Sequence, residues 1–339
     1  MTNTILPRRT LGRSGVDITV VGFGAWAAGG GGWAYSWGPQ DDGESIAAMR
    51  RAIDLGINWI DTAAVYGLGH SEEVVGRFLR TLPDADRPLV CTKGGLQWDP
   101  HDRSLTPIRS LRPERIAEEC DESLRRLGVE RIDLFQFHWP DETGIPVEES
   151  WGAMARLVEA GKVRLAGLSN FGPPLLDRCE PIHHVESLQI PFSAIRRDIA
   201  ARGIPWAAAH DTGVICYSPM QAGILTDSFS TARVAALTAD DWRRKSPEFN
   251  EPKLSANIAL RDALRPIAAR HGVTVSAIAV AWVLTNPGVT GAIVGARSGA
   301  QVDGWIDAGR VRLTSADLAE IAAAHSAHSG SAERGQLTS

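Results

Sequence analysis

An aspartate, a tyrosine, a lysine and a histidine recur in that order along this chain, each at or just beyond a short apolar run: Asp61, Tyr66, Lys93 and His138. A free phenol titrates near pH ~10, too high for an efficient acid at neutrality. An ammonium beside it stabilises the phenolate and lowers that value. Lys93 is a candidate for that charge, with Asp61 as the partner that keeps it protonated and oriented. His138 is suited to hydrogen-bond a substrate oxygen or to pass a proton to it. The set as a whole suits protonation of a carbonyl oxygen or, in reverse, removal of a proton from an alcohol. Each member also has a plainer reading: Asp61 as a turn cap before Thr62, Tyr66 as a surface aromatic, Lys93 and His138 as rim residues. Their joint placement argues for the chemical one.

The elements that would position them alternate short apolar runs with segments of helical period. Candidate strands cover residues 19–24, 58–61, 89–93, 132–138, 163–169, 186–189, 214–217 and 291–295. Between them, Ile46, Met49 and Ile53, then Ile116, Cys120 and Leu124, then Trp151, Met154, Ala155 and Val158 mark apolar helix faces, with Gly161 as the cap after the last. Eight such units predict a parallel sheet closed into a (β/α)8 TIM barrel, in which active sites lie at the carboxyl ends of the strands. The residues at or just after those ends are Trp26, Asp61 with Tyr66, Lys93, His138, Ser169 with Asn170, Gln189, Tyr217, and Gly295 with Arg297. Outside the repeat, 10–19 reads as an N-terminal hairpin with a Ser-Gly turn, and 223–252 as a long polar loop after strand 7 with some helix. Residues 326–339 are small and polar and are expected to fray. One domain over 1–325 is the expectation.

The composition suits that architecture. The 339 residues are ample for one large core, and 44% hydrophobic with 22% charged residues is ordinary for a globular chain. A net charge of -5 without a long basic run argues against nucleic acid as a partner. The first ten residues have no apolar leader, and the longest apolar stretch, 273–284, is too short to span a bilayer. Neither a membrane nor secretion is expected. Cys91, Cys120 and Cys216 sit in apolar patterns, and with Cys179 they form no Cys-x-x-Cys pair, which fits a reducing cytoplasm. Eleven tryptophans are many for this length; Trp26, Trp33 and Trp37 fall in glycine-rich loops, where they suit a pocket for an apolar or planar ligand.

Two other chemistries are set aside. Gly22-Phe-Gly24-Ala-Trp-Ala27 after an apolar run imitates a dinucleotide fingerprint, but that motif needs a helix at once, and four glycines (29–32) follow instead. His183, His184, His325 and His328 lack the spacing of a zinc site, so no metal is expected.

Three segments carry a resemblance: 61–76 (DTAAVYGLGHSEEVVG), 161–171 (GKVRLAGLSNF) and 217–225 (YSPMQAGIL). In order and spacing they resemble the aldo-keto reductases, over about residues 10–324, and the subgroup is similar to bacterial reductases with a long loop after strand 7. The resemblance implies that Asp61, Tyr66, Lys93 and His138 form the catalytic tetrad, and that the cofactor is NADP(H). It implies that Ser169, Asn170 and Gln189 hydrogen-bond the nicotinamide carboxamide and that Tyr217 stacks on the ring. Ser218, Met220 and Gly223 would line the pyrophosphate, Gly295, Arg297 and Gln301 the adenosine 2′-phosphate and ribose, and Trp26 and Trp139 the substrate pocket. The partner implied is a small carbonyl compound or sugar. Two places depart from the family pattern. Gly304 and Trp305 stand where an acidic residue and an asparagine often flank the adenine, and Ile-Pro-Phe-Ser follows Gln189 in place of an aromatic-Asn pair. Two alternatives stay beside the reductase: a nicotinamide-binding regulatory or sensor subunit, and a lyase using Lys93 as a Schiff-base nucleophile.

Overall fold

A computed structural model of the chain describes residues 5–238 and 241–336. Eight strands form the barrel: β1 (Val21–Gly24), β2 (Trp59–Asp61), β3 (Leu89–Gly94), β4 (Ile132–Phe137), β5 (Val163–Ser169), β6 (Ser187–Pro191), β7 (Gly213–Tyr217) and β8 (Gly291–Gly295). Neighbours pair in parallel, and β8 returns to β1, which closes the barrel. All eight expected runs are strands, with ends moved by up to two residues. The largest change is at β6, which continues through Ile190 and Pro191 where the sequence reading ended at Gln189.

The helical periods also hold. Met49, Ile116, Cys120, Trp151 and Met154 are buried on the inner faces of helices Asp42–Asp54, Pro113–Leu127 and Val147–Glu159. Gly161 follows the last of these at φ +75°, the left-handed turn that ends helices. No helix begins after the Gly22–Ala27 decoy. A short 3-10 turn, Trp26–Gly29, leads into the glycines, and the first α-helix waits until Asp41 caps it by accepting from Glu44 N–H.

The lower end is sealed by the expected hairpin, Arg8–Thr10 paired with Asp17–Thr19. Its Leu11, Val16 and Ile18 pack inside the barrel on Trp59, Leu134, Leu165 and Ile215. Gly22 makes room for that plug: a Cβ there would lie 2.1 Å from the Trp59 ring. The 223–252 insertion carries one short α-helix, Thr231–Ala235, and 3-10 turns Trp242–Lys245 and Pro247–Phe249. The last helix, Ser315–Gln336, carries the chain into the stretch expected to fray, and residues 337–339 lie outside the described part. Among the described residues no single helix is long and apolar enough to cross a membrane, and no cluster of His, Cys, Asp or Glu could hold a metal.

Candidate active site

The carboxyl ends of β2, β3 and β4 bring the four acid–base residues together. Lys93, at the end of β3, is fully buried, and its Nζ donates to Asp61 Oδ1 at 2.6 Å and to the Thr62 carbonyl at 2.8 Å. Asp61 also accepts from Gln189 Nε2 at 2.9 Å. Both carboxylate oxygens are therefore occupied, which is how a buried ion pair avoids leaving a charge uncompensated. A second buried layer supports the first: Glu72 accepts from Thr92 Oγ1 and from Arg126 Nε, both at 2.6 Å.

Tyr66 enters on the loop after β2. Gly67, at φ +64°, and Gly29 meet backbone to backbone there; a Cβ on Gly67 would sit 2.1 Å from the Gly29 carbonyl. That contact brings the first βα loop down over the tyrosine, and Trp26 stacks on its ring at 5.7 Å. Lys93 Nζ lies over the face of the Tyr66 ring, 5.3 Å from its centre. The sequence reading assigned Lys93 the task of lowering the phenol's pKa. Here burial first, and the Asp61 carboxylate second, push Tyr66 well above its ordinary value. The phenol is held protonated: its proton is in place, but this environment by itself makes it a weaker acid than a free phenol.

His138 crosses Tyr66 edge-on at 5.6 Å. Burial, with Lys93 and Arg109 nearby, drives its pKa well below the ordinary histidine value, so the ring is neutral. A neutral imidazole orients a substrate oxygen through a hydrogen bond; it does not carry a spare proton at neutral pH. Its Nδ1 is buried without a partner.

Asn170, at φ +66°, ties together four strand ends. Its amide donates to the His138 carbonyl at 3.0 Å and to Ser169 Oγ at 3.1 Å, its Oδ1 accepts from Tyr217 Oη at 2.8 Å, and its N–H bonds Gln189 O at 3.0 Å. Thus Asn170 bonds to His138, Ser169 and Tyr217 through its side chain, and Gln189 bonds to Asp61. After Tyr217 the backbone turns left-handed at Ser218, Gln221, Ala222 and Gly223 (φ 55°, 46°, 50° and 98°). Strain of this kind clusters at functional loops, and the turn is closed by its own backbone: Gln221 N–H donates to the Ser218 carbonyl at 2.9 Å and Gly223 N–H to the Met220 carbonyl at 3.1 Å. Met220 lies within that turn, half-buried.

At the carboxyl end of β8, Gly295 closes the strand and is exposed. The Arg297 N–H is held by Gln301 Oε1 at 2.8 Å. Half-burial and the neighbouring cations Arg243 and Arg233 push the Arg297 pKa down, against the pull of the Asp241 carboxylate, which is itself paired with Arg243 at 2.6 Å. Trp305 is core and not groove: it is 2% exposed. Trp139 stands apart from the aromatic cover, under the Arg109 guanidinium at 4.2 Å.

The sequence reading missed Gln40, Trp242, Arg233 and Arg243. Trp242, from the polar insertion, stacks on the outer face of Trp26 at 5.6 Å, and Trp37 meets both rings edge-on at 5.2 and 5.6 Å. The one available signal was a lone tryptophan ahead of Arg-Arg-Lys in a polar stretch.

The sequence profile of the aldo/keto reductase family matches residues 20–326. The chain belongs to the aldo/keto reductase family. It is 32% identical over 309 residues to aldo-keto reductase YhdN of Bacillus subtilis (strain 168), covering 91% of this chain and 90% of that one. It is 28% identical over 320 residues to aldo-keto reductase yakc, NADP(+), of Schizosaccharomyces pombe, covering 93% and 90%. Among solved structures it is similar to the glycerol dehydrogenase AKR11B4 from Gluconobacter oxydans, with 36% identity, a TM-score of 0.84 and 97% of each chain covered. The chain is therefore an NADP-dependent aldo/keto reductase, and the lyase alternative loses its ground, because an ammonium bound by Asp61 and Thr62 is a poor nucleophile.

Proposed function

We propose that this reductase interconverts a small hydroxylated carbonyl compound and its alcohol with NADP(H), using Tyr66 as the proton donor. The observation that carries this reading is the convergence of half-buried Tyr66 and His138 with the buried Lys93–Asp61 pair at one mouth of the barrel. Tyr66 Oη gives its proton to the carbonyl oxygen while neutral His138 donates a hydrogen bond to the same oxygen. Lys93 and Asp61 fix the floor beneath the ring, and Gln189 holds Asp61 in place. The cofactor supplies the hydride that becomes bonded to the carbonyl carbon, so hydride and proton together convert C=O to CH–OH.

The groove fits such a cofactor on its own chemistry. Tyr217 offers a ring for stacking, fixed by Asn170. On this reading Ser169, Asn170 and Gln189 would bind the carboxamide, and Ser218, Met220 and Gly223, in the left-handed turn after β7, would lie along the pyrophosphate. Gly295, Arg297 and Gln301 would hold the 2′-phosphate and ribose, and the guanidinium suits the phosphate. The NADP(+) in the yeast relative's name agrees with that choice. The glycerol dehydrogenase similarity favours a polyol or its aldehyde or ketone as substrate, and the tight cover of Trp26, with Trp139 at the rim, favours a small one.

The test is a panel of small aldehydes and ketones, glyceraldehyde and dihydroxyacetone included, assayed by NADPH oxidation. Turnover should be highest on the hydroxylated members. Tyr66→Phe should lower it by about two to four orders of magnitude with cofactor affinity retained. A variant that keeps near-normal turnover removes Tyr66 from the role.

A further inference from the structure

The Arg297 guanidinium is already held by the protein. Its Nε donates to Gln40 Oε1 at 2.7 Å, one terminal nitrogen to the Trp37 carbonyl at 3.3 Å, and the other to the Pro39 carbonyl. Gln40 returns the contact, its Nε2 donating to the Arg297 carbonyl at 3.0 Å. This fixes the amide orientation, since only one flip places its oxygen on the guanidinium and its nitrogen on a carbonyl. An arginine has five N–H donors. Three are taken by the 37–40 segment, which leaves one on each terminal nitrogen.

The segment that holds Arg297 is itself anchored. Gly38, at φ +80°, makes the turn between the two accepting carbonyls. Asp41 caps the first helix directly after Gln40. The Trp37 ring is covered by the Arg243 guanidinium at 4.7 Å and abuts Trp26, which lies on Tyr66. Trp37 thus touches two cations of the phosphate end with its carbonyl and its ring face, and the carbonyl pocket with its ring edge.

We infer that Gln40 is a positioning residue for cofactor choice: together with the Trp37 and Pro39 carbonyls it holds the Arg297 guanidinium so that its two remaining terminal N–H groups are presented to a 2′-phosphate. This rests on the reading of Arg297 as the phosphate clamp given above. A long, flexible cation loses rotamer freedom when it grips a ligand, and a protein that has already fixed it avoids that loss on binding. Gln40 then acts only on a cofactor that carries the phosphate. A purely structural tie between the first loop and β8 would affect both cofactors alike.

The experiment titrates NADPH and NADH by quenching of protein fluorescence in the parent, Gln40→Ala, Gln40→Met, Arg297→Ala and the Gln40→Ala/Arg297→Ala double variant. Thermal melts confirm that each is folded, and the methionine keeps the packing volume of Gln40. Both Gln40 variants should weaken NADPH by about three- to ten-fold and leave NADH within two-fold. Arg297→Ala should weaken NADPH further, and adding Gln40→Ala to it should cost nothing more, because the two residues act through one contact. Equal weakening of both cofactors, no change in either, or full additivity in the double variant overturns the inference while Arg297 keeps its role. An NADPH-to-NADH preference that survives Arg297→Ala overturns the phosphate assignment, and Gln40 falls with it.

Discussion

Trp59 closes one end of the barrel and Trp26, Trp37 and Trp242 cover the other, and the two groups treat the indole N–H differently. Trp59 is fully buried and donates to the Thr19 carbonyl at 2.8 Å. The three upper indoles are half-buried, with their N–H groups turned inward, yet none of those N–H groups has a partner, and His138 Nδ1 beside them has none either. A buried donor left unpaired costs about 1–3 kcal/mol. Trp59 is thus packed as core is packed, with its shape and its hydrogen bond both satisfied. The upper end gathers aromatic surface and polar groups whose demands the protein does not meet, as expected where a substrate and a cofactor must be received.

The largest effect that tests this contrast comes from below. Gly22→Ala would place a methyl 2.1 Å from the Trp59 ring, with β8 behind it. Overpacking a rigid core costs about 1–3 kcal/mol and sometimes more; with a fully buried indole as the obstacle, about 3 kcal/mol is expected. The melting temperature should fall by at least about 5 °C, while the molecules still folded at 20 °C keep the parent's KM. A KM that moves with the melting temperature would mean that the two ends are not separable.

The next effect is electrostatic and belongs to the upper end. Glu119 is buried beneath the end of β3, where it accepts the Gly95 N–H at 2.6 Å, with Arg115 at 3.7 Å. Burial raises its pKa from 4.5 to about 7, against the pull of Gly95 and Arg115. An acid whose folded value lies above its unfolded one binds its proton more tightly when folded. Its contribution is therefore complete below about pH 4.5 and is lost as the pH rises to about 7. Over that window stability should decline by about 3 kcal/mol from this group. Glu119→Gln, which keeps an acceptor for Gly95, should flatten the profile measured by urea denaturation between pH 5 and pH 8. An unchanged slope would mean that Glu119 is already ionised in the folded protein.

Much of this was legible from the chain itself. Strand ends are local: an apolar run followed by a polar or aromatic residue placed Asp61, Lys93, His138, Asn170 and Tyr217 at the mouth before any coordinates. What escaped was set by contacts between distant segments. Gln40 and Arg297 are 257 residues apart, and nothing near either one announces the other. Trp242 lies in a segment without periodicity, so its stacking on Trp26 had no local pattern to reveal it. Gln189 was placed correctly at a strand end, but that it donates to Asp61 depends on the curvature that brings β6 across from β2. The direction of the Tyr66 pKa escaped for another reason. Sequence suggests which charges come near, whereas the sign depended on burial and then on the Asp61 carboxylate.

The smallest effect tests the unpaired donors directly. Trp242→Phe keeps an aromatic ring for stacking on Trp26 and removes an N–H that bonds to nothing. Some apolar contact is lost, at about 25 cal/mol for each Å² of buried area, and one unmet donor is relieved, so the two changes oppose each other. Stability should therefore stay within about 1 kcal/mol of the parent. The same substitution at Trp59 supplies the yardstick. There it removes ring atoms from a filled core and takes the donor from the Thr19 carbonyl, for about 2 kcal/mol or more. Urea denaturation of the two variants side by side measures the difference. If Trp242→Phe costs as much as Trp59→Phe, the cover is core like the plug below it, and the contrast between the two ends fails.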